Sequence, residues 1–324
     1  MKVAVYGAGA IGGLIGGHLA RTGQDVTLIA RGPHLAALKE KGLHIHGHSG
    51  DFTVHPKATE DAREAGPQDF VIIALKANAV PAIADKLAPL LGPETGVVMA
   101  VNGVPWWYFY GAEGALKDAR IPSVDPEDKL WQLVGPQRVI GCVVYPAAEV
   151  TAPGEIRHVE NDRFSLGEAS GEKTARVQAL SNAFIEAGFK APVKPDIRTE
   201  IWVKLWGNVA FNPISALTGG TLAGICGDPA TRAVARAVMT EAEAIANALG
   251  VKMPIDVEKR INGAAGVGEH KTSMLQDVER GRPIELEAIV GAVRDLARLV
   301  NVPTPNIDLI YGLLKHKARL LNLL

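Results

Sequence analysis

Apolar runs alternate with stretches of helical spacing along the first hundred residues. Runs that are apolar throughout are typical of strands covered on both faces, whereas apolar positions that recur every three or four residues indicate amphipathic helices. The predicted strands are 2–6, 25–29, 69–75 and 96–102, with a helix that ends near residue 21, a helix from 33 that stops at Gly42, and a hairpin within 43–56. This order of strands and helices favours a parallel sheet.

The pattern changes in the second half of the chain. Residues 103–137 have no clean period and are rich in aromatic residues and turn formers. Further strands are predicted at 138–146, 154–159 and 163–168, then a helix at 173–187 and a short strand that ends near 194. After Asp196 the spacing is only helical, over 198–211, 228–249, 254–264 and 283–322. The sequence therefore predicts an α/β domain at residues 1–197 and an all-α domain at residues 198–324.

Composition excludes several classes of protein. The 34 basic and 35 acidic residues give a net charge of -1, which argues against binding to nucleic acid or to an anionic membrane. The two cysteines, Cys142 and Cys226, are too few for a disulfide scaffold and lie in no zinc-type cluster. We therefore expect a cytoplasmic protein without a metal, with Cys142 in the core.

Three histidines, His44, His46 and His48, alternate along the predicted hairpin. Alternation places them on one face of a strand, as metal ligands would be. No carboxylate or thiol cluster accompanies them in the sequence, so a solvated hairpin face is the favoured interpretation.

Residues 7–12 match the pattern G-x-G-x-x-G of dinucleotide-binding proteins. The segment follows an apolar strand, opens a helix and precedes a second strand, which is the context that the pattern requires. Its glycines allow a tight turn and a close approach of a pyrophosphate to the backbone, and the alternative is a glycine-rich turn without a ligand. The predicted cofactor-binding residues of this Rossmann-type domain are Gly7, Ala8, Gly9, Ala10, Ile11 and Gly12.

The end of the second strand indicates which dinucleotide is bound. Proteins that bind NAD place an acidic residue about 20 residues after the glycines, where it holds the ribose 2′-hydroxyl. Here that place reads Ala30-Arg31, and a guanidinium pairs well with a phosphate. The sequence predicts NADP(H) with Arg31 as a contact, and a solvated surface cation is the alternative.

A polar stripe marks the first helix of the second domain. Lys204, Asn208 and Asn212 are spaced four residues apart and share one helix face. Apolar residues flank the stripe, and polar groups in an apolar setting need partners. Ligand binding is one explanation, and mutual pairing or capping of a neighbouring helix is the other. Pro213 is expected to end or kink this helix at Asn212.

Together these segments resemble the ketopantoate reductase (2-dehydropantoate 2-reductase) family, a branch of the β-hydroxyacid dehydrogenase type, over nearly the whole chain. The segments that carry the resemblance are GAGAIG at 7–12, Lys76 in ALKAN, the Asn102-Gly103 pair, KLWGNVAFNP at 204–213, and KTSMLQD at 271–277 followed by ELE at 285–287.

The resemblance implies a role for each matching residue. Lys204 would be the general acid, and Glu285 would orient the substrate or the lysine. Asn208, Asn212 and Ser273 would bind the substrate, while Lys76 and Asn102 would lie near the nicotinamide and its ribose. Chemistry supports the lysine independently, because hydride attack on a ketone develops negative charge that an ammonium stabilises and protonates.

Two of these residues also have purely structural explanations. Glu285 follows Pro283 in the expected first turn of a helix, where a carboxylate is favourable in any protein. Ser273 is placed to cap the helix that follows it.

The chain departs from the family pattern in three places. A further asparagine is usual near Thr221, a polar residue is usual at Val290, and the aromatic segment 106–110 (Trp106, Trp107, Tyr108, Phe109 and Tyr110) is an insertion. Loss of polar groups from a pocket weakens selection for a polar substrate, so we expect a 2-oxo acid that is ketopantoate or a bulkier analogue. The insertion is interpreted equally well as a substrate wall, as packing or as a dimer contact.

The sequence as a whole predicts an NADPH-dependent reductase of a small 2-oxo acid. One alternative is a β-hydroxyacid dehydrogenase that oxidises a 3-hydroxy acid with NAD, and another is a non-catalytic NADP(H) sensor. The helical domain is a candidate surface for a homodimer.

Overall fold

The computed structural model describes residues 1–324, which form two compact units. The first unit comprises Met1–Val101, Phe109–Asp118 and Asp128–Ile197, and the second comprises Asn102–Tyr108, Ala119–Glu127 and Arg198–Leu324. The chain passes from the first unit to the second after Ile197. It also enters the second unit twice before that point, because short segments of the aperiodic stretch 103–137 hydrogen-bond to helical residues much later in the chain.

The first unit contains eleven strands. They are β1 Lys2–Tyr6, β2 Asp25–Ile29, β3 Leu43–Gly47, β4 Phe52–Val54, β5 Lys57–Thr59, β6 Gln68–Ile73, β7 Leu91–Met99, β8 Val139–Val144, β9 Ala147–Ala152, β10 Glu155–Glu160 and β11 Phe164–Glu168. Seven of them form one sheet in the order β11-β8-β7-β6-β1-β2-β5, and the other four form a sheet in the order β4-β3-β10-β9. The larger sheet is parallel except for the β11–β8 pair, so the predicted α/β class is confirmed.

The larger sheet has a topological switch beside β1. The next strand in the chain, β2, pairs with one edge of β1, whereas β6 pairs with the other edge. Open α/β sheets bind ligands outside the carboxyl ends of the strands at such a point. The turn of residues 7–12 lies there, directly after β1.

Five helices belong mainly to the first unit: α1 Ala10–Arg21, α2 Gly32–Lys41, α3 Ala84–Leu87, α4 Lys129–Leu133 and α5 Ala175–Glu186. The glycines of α1 let it pack closely against both sheets. A Cβ at Gly16 would lie 2.5 Å from Leu28 Cδ2 of the larger sheet, whereas a Cβ at Gly13 or Gly17 would overlap Ile156 or Ile45 of the smaller one. The run of glycines along α1 therefore reflects close packing on two faces.

The hairpin prediction is confirmed, since β3 and β4 pair antiparallel. His44 and His46 lie on β3 with stacked rings, 5.6 Å between centroids, and no group of three or more His, Cys, Asp or Glu side chains has the geometry to hold a metal ion. The sequence missed β5 and β9. The strand predicted to end near residue 194 is limited to two isolated bridges, Arg163 with Lys190 and Leu166 with Val193.

Helices make up the second unit: α6 Ile197–Thr218, α7 Leu222–Gly227, α8 Pro229–Ala248, α9 Val257–Ala265, α10 Ser273–Glu279, α11 Ala292–Leu299 and α12 Pro305–Leu320. A wide π-turn, Glu287–Gly291, precedes α11. No helix combines the length and the apolar character that crossing a bilayer requires.

Two helical predictions were wrong in extent. α6 does not end at Asn212 but continues through Pro213 to Thr218. An internal proline costs about 3 kcal/mol, and burial of residues on both sides of it, including Phe211 and Ile214, offsets this cost. The segment 283–322 is broken between α11 and α12, where Asn301 adopts a left-handed conformation with φ 54°.

A buried histidine on α1 should make stability depend on pH. His18 contacts the Ala187 carbonyl (2.9 Å) and Ser49 Oγ (3.0 Å) through its two ring nitrogens, and burial lowers its pKa from 6.5 to about 4. Between these values the unfolded chain binds more protons than the folded one. The stability that neutral His18 contributes should therefore be complete above pH 6.5 and decline as the pH falls towards 4.

Urea unfolding at pH 7 and pH 5 measures this effect. The free energy of unfolding should be lower at pH 5, and a His18→Gln variant should show a smaller difference between the two pH values. An unchanged difference in the variant would assign the pH dependence to other groups.

Candidate functional site

The glycine turn after β1 is held by close backbone packing. Gly7 has φ 97°, and a Cβ there would lie 2.6 Å from Leu75 Cδ2. A Cβ at Gly12 would overlap the Gly7 carbonyl oxygen, whereas a Cβ at Gly9 would meet nothing within 4 Å. Gly7 and Gly12 are thus required by the turn itself, and Gly9 is exposed to open space.

The start of α1 leaves hydrogen-bond donors for a ligand. The Gly7 and Ala8 N–H groups donate to the Ile29 carbonyl, at 3.1 and 3.3 Å. The first helical bond runs from Gly13 N–H to the Gly9 carbonyl (2.7 Å), and no side chain caps the helix. Because the N–H groups of a first helical turn have no partner within the helix, residues 10–12 provide donors suited to a pyrophosphate.

Two predicted cofactor residues lie close to this turn. Arg31 is exposed and follows β2 directly; burial raises the pKa of Tyr6 at the end of β1, and the positive charge of Arg31 partly opposes that rise. Lys76 follows Leu75, whose side chain packs on Gly7. The structure therefore brings Arg31, Lys76 and the glycine turn to the same edge of the sheet.

The second unit joins three predicted site residues in one hydrogen-bonded group. Lys204 Nζ donates to Asn102 Oδ1 at 2.6 Å, and Asn102 Nδ2 approaches Glu285 Oε2 at 3.5 Å. Glu285 is only 6% exposed, while Lys204 and Asn102 are half-buried. In this group the Asn102 amide fixes the direction of the Lys204 side chain, and the Glu285 carboxylate lies next to the amide nitrogen.

A glycine beside Asn102 positions it against Glu285. Gly103 has φ 95°, and a Cβ there would lie 2.5 Å from the Ala288 carbonyl oxygen. The same carbonyl accepts the Val104 N–H at 2.9 Å. The π-turn that follows Glu285 therefore holds the chain on both sides of Gly103, a contact that the sequence analysis missed and that the glycine after Asn102 could have indicated.

The two asparagines of α6 are available for a ligand. Asn208 is half-buried and Asn212 is 5% exposed, and neither side chain forms a hydrogen bond within the structure. The structure therefore does not support the explanation that these asparagines pair within the stripe or cap a neighbouring helix. A buried amide without a hydrogen-bond partner costs free energy, which a bound ligand would offset. Asn208 and Asn212 thus fit a ligand with polar groups.

Ser273 is exposed at the first position of α10 and forms no hydrogen bond through its side chain. Thr272 caps this helix by accepting the Leu275 N–H at 3.3 Å. The capping explanation for Ser273 was therefore wrong by one residue.

The aromatic segment is packed in the interior. Trp106, Trp107, Tyr108 and Phe109 are each 3% exposed or less, which favours packing over a dimer contact or a substrate wall. The chain departs from the family pattern at two other positions. Thr221 caps α7 by accepting the Gly224 N–H (3.1 Å) and donates to Glu269 (2.7 Å). Val290 is buried within the π-turn.

The chain is similar to known proteins over nearly its whole length. Residues 3–171 match the family Ketopantoate reductase PanE/ApbA, and residues 196–318 match Ketopantoate reductase PanE/ApbA C terminal. The 2-dehydropantoate 2-reductase of Mesorhizobium japonicum is 55% identical over 98% of this chain and 98% of its own length.

Solved structures show the same likeness. A protein of Ralstonia solanacearum MolK2 has a TM-score of 0.95 and 40% identity, with 100% of this chain and 99% of that one covered. A ternary structure of D-mandelate dehydrogenase with NADH and anilino(oxo)acetate has a TM-score of 0.84, with 100% of both chains covered, but only 21% identity, and thus shows a shared fold alone. From its two matching family segments and these relatives, the chain belongs to the ketopantoate reductase family, nicotinamide-dependent oxidoreductases that act on CH–OH groups.

Proposed function

We propose that this protein reduces a 2-oxo acid, 2-dehydropantoate or a bulkier analogue, to the 2-hydroxy acid with NADPH, and that Lys204 is the general acid. The observation that carries the proposal is the hydrogen bond from Lys204 Nζ to Asn102 Oδ1, with Glu285 behind the amide. It holds an ammonium in one direction within a half-buried setting. The relative from Mesorhizobium japonicum is a 2-dehydropantoate 2-reductase, which supports the same substrate.

The residues of the second unit divide the work of the reaction. NADPH, when bound, supplies the hydride that reduces the carbonyl carbon. Lys204 Nζ stabilises the negative charge that develops on the carbonyl oxygen and donates a proton to it. Asn102 orients the Lys204 amine by accepting its hydrogen bond, and Glu285 in turn positions the Asn102 amide. Asn208 and Asn212 have unpaired amides that suit the hydroxyl and carboxylate of the substrate.

Consumption of NADPH with 2-oxo acids tests the function. Purified protein should oxidise NADPH when ketopantoate or a larger branched 2-oxo acid is added, with a single product hydroxy acid. NADPH binding without turnover on any member of such a panel would favour a sensor. Oxidation of a 3-hydroxy acid with NAD would favour the other β-hydroxyacid dehydrogenase activity.

The preference for NADP(H) is proposed to depend on Arg31. The guanidinium follows β2, where proteins that bind NAD place an acidic residue, and two hydrogen bonds to a 2′-phosphate are within its chemistry. Arg31→Ala should weaken NADPH binding by about tenfold or more, the loss expected for a charge-assisted contact, and leave NADH binding nearly unchanged. Fluorescence titration with both coenzymes measures the ratio, and equal losses for both would remove the 2′-phosphate role.

A homodimer through the helical unit is a further part of the proposal. Leu309, Leu313 and Leu320 of α12 are 63%, 54% and 70% exposed, and their spacing places them on one helix face. Leu313→Glu should convert a dimer to a monomer in sedimentation velocity. A monomeric wild-type protein at the same concentration would contradict this interface.

A cytoplasmic location is also proposed. Cys142 and Cys226 are both free thiols and both buried, which suits a reducing compartment.

A further inference from the structure

The segment Asn102–Tyr108, which includes the first three residues of the aromatic segment, connects two parts of the Lys204 site. It begins at Asn102, the partner of Lys204, and ends at Tyr108, within one continuous stretch of the second unit, Asn102–Tyr108. At its start, Val104 N–H donates to the Ala288 carbonyl at 2.9 Å, one turn beyond Glu285. The start of the segment is thus fixed to the π-turn.

The other end of the segment is fixed to the helix that carries Lys204. Trp202 Nε1 donates to Tyr108 Oη at 2.7 Å, and Arg198 Nε donates to the Tyr108 carbonyl at 2.7 Å. Both donors lie in the first two turns of α6, and Trp202 is fully buried, two residues before Lys204. The segment therefore joins α6 to the π-turn and carries Asn102 between them.

We propose that Tyr108 is a positioning residue for Lys204. Its hydroxyl, through Trp202, fixes α6 relative to the irregular segment that presents Asn102, and so sets the distance between Lys204 Nζ and Asn102 Oδ1. This inference rests on the proposed function of Lys204 as general acid. It assigns a role to the aromatic insertion that packing alone does not give, because packing would be equally well satisfied by phenylalanine.

Burial makes this hydrogen bond directional and costly to lose. Tyr108 and Trp202 are both almost entirely excluded from solvent, so water cannot replace the hydroxyl when it is removed. An indole N–H left without an acceptor costs the free energy of its desolvation, and the structure relieves that cost by moving. A displacement of about 1 Å at a reacting group is enough to lower turnover substantially.

Trp206 provides a matched control on the same helix. It lies two residues after Lys204, as Trp202 lies two residues before it, and it is equally buried. Its Nε1 donates to the Met239 carbonyl of α8 at 2.8 Å, away from the aromatic segment. Trp202→Phe and Trp206→Phe thus remove the same kind of buried hydrogen bond. Only the bond of Trp202 goes to the segment that carries Asn102.

Steady-state kinetics of Tyr108→Phe, Trp202→Phe and Trp206→Phe test the inference. Tyr108→Phe and Trp202→Phe should each lower kcat by about tenfold with KM changed by less than about twofold. The variant that carries both Tyr108→Phe and Trp202→Phe should be no slower than either single variant, since both changes remove the same hydrogen bond between the two side chains. Trp206→Phe should keep kcat within about twofold even where its thermal stability falls as far as that of Trp202→Phe.

A second measurement does not depend on turnover. Trace acetylation of the Lys204 amine, quantified by mass spectrometry, should increase at least about twofold in Tyr108→Phe, because an amine released from its hydrogen bond to Asn102 Oδ1 is more accessible to the reagent. Trp206→Phe should leave this labelling unchanged. Wild-type kcat and wild-type labelling in Tyr108→Phe would overturn the positioning role, while a wild-type enzyme without 2-oxo acid reduction would overturn the proposed function and leave the labelling result to decide the inference.

Discussion

Lys204→Ala is expected to lower kcat by roughly 10² or more, while NADPH binding stays nearly intact. The variant removes both the charge that stabilises the developing alkoxide and the proton that neutralises it. It also leaves Asn102 Oδ1 without the donor that now lies 2.6 Å away. NADPH is expected to bind through the glycine turn of the first unit, so its affinity should not depend on Lys204.

Another lysine in the second unit controls for the loss of a charge near α6. Lys317 Nζ donates to the Ala216 and Leu217 carbonyls at the end of α6, at 2.6 and 3.2 Å. Lys317→Ala should lower thermal stability through that helix end and leave kcat within about threefold of wild type. Turnover of Lys204→Ala equal to that of Lys317→Ala would remove Lys204 from the proposed mechanism.

The asparagines on the same face of α6 should respond differently from Lys204. If Asn208 and Asn212 bind the hydroxyl and carboxylate of the substrate, they act in the ground state as well as in the transition state. Loss of such uniform binding raises KM more than it lowers kcat. The proposed roles of Lys204 and of the asparagines are therefore separable by the ratio of the two kinetic constants.

Local sequence patterns sufficed for six of the seven strands of the larger sheet. β1, β2 and β6 are short apolar runs, and the turn between β1 and α1 has a glycine pattern that depends only on neighbouring residues. Arg31 was predicted from the same local signals, whereas Lys76 was predicted from the family resemblance alone. Elements with weak periodicity were missed, such as β5 with three residues, since they exist only because a neighbouring strand provides hydrogen bonds.

Long-range contacts explain what the sequence left undetermined. The resemblance placed Asn102 near the nicotinamide, whereas the structure also makes it the partner of Lys204 and Glu285, 102 and 183 residues away. No spacing rule reaches across such separations. The course of α6 through Pro213 likewise depends on packing around the helix, which outweighs a local rule that is sound for exposed helices.

Gly9→Ala is expected to weaken NADPH binding by about tenfold or more without loss of stability in the free protein, because a glycine there serves close approach of the pyrophosphate to the backbone. A Cβ at Gly9 would point into open space and meet no atom of the protein within 4 Å. Its φ of -71° is also accessible to alanine. The fold therefore gives no reason for a glycine at this position, which leaves the ligand as the reason.

Gly12→Ala is the matched comparison within the same turn. A Cβ at Gly12 would overlap the Gly7 carbonyl oxygen and lie 3.0 Å from Val5 Cγ1, so this variant should lose both thermal stability and NADPH affinity. Thermal unfolding of the free proteins together with fluorescence titration of NADPH separates the two effects. Wild-type affinity in Gly9→Ala would mean that no pyrophosphate approaches this turn closely, and the coenzyme would then have to be held by other residues of the sheet edge such as Arg31 and Lys76.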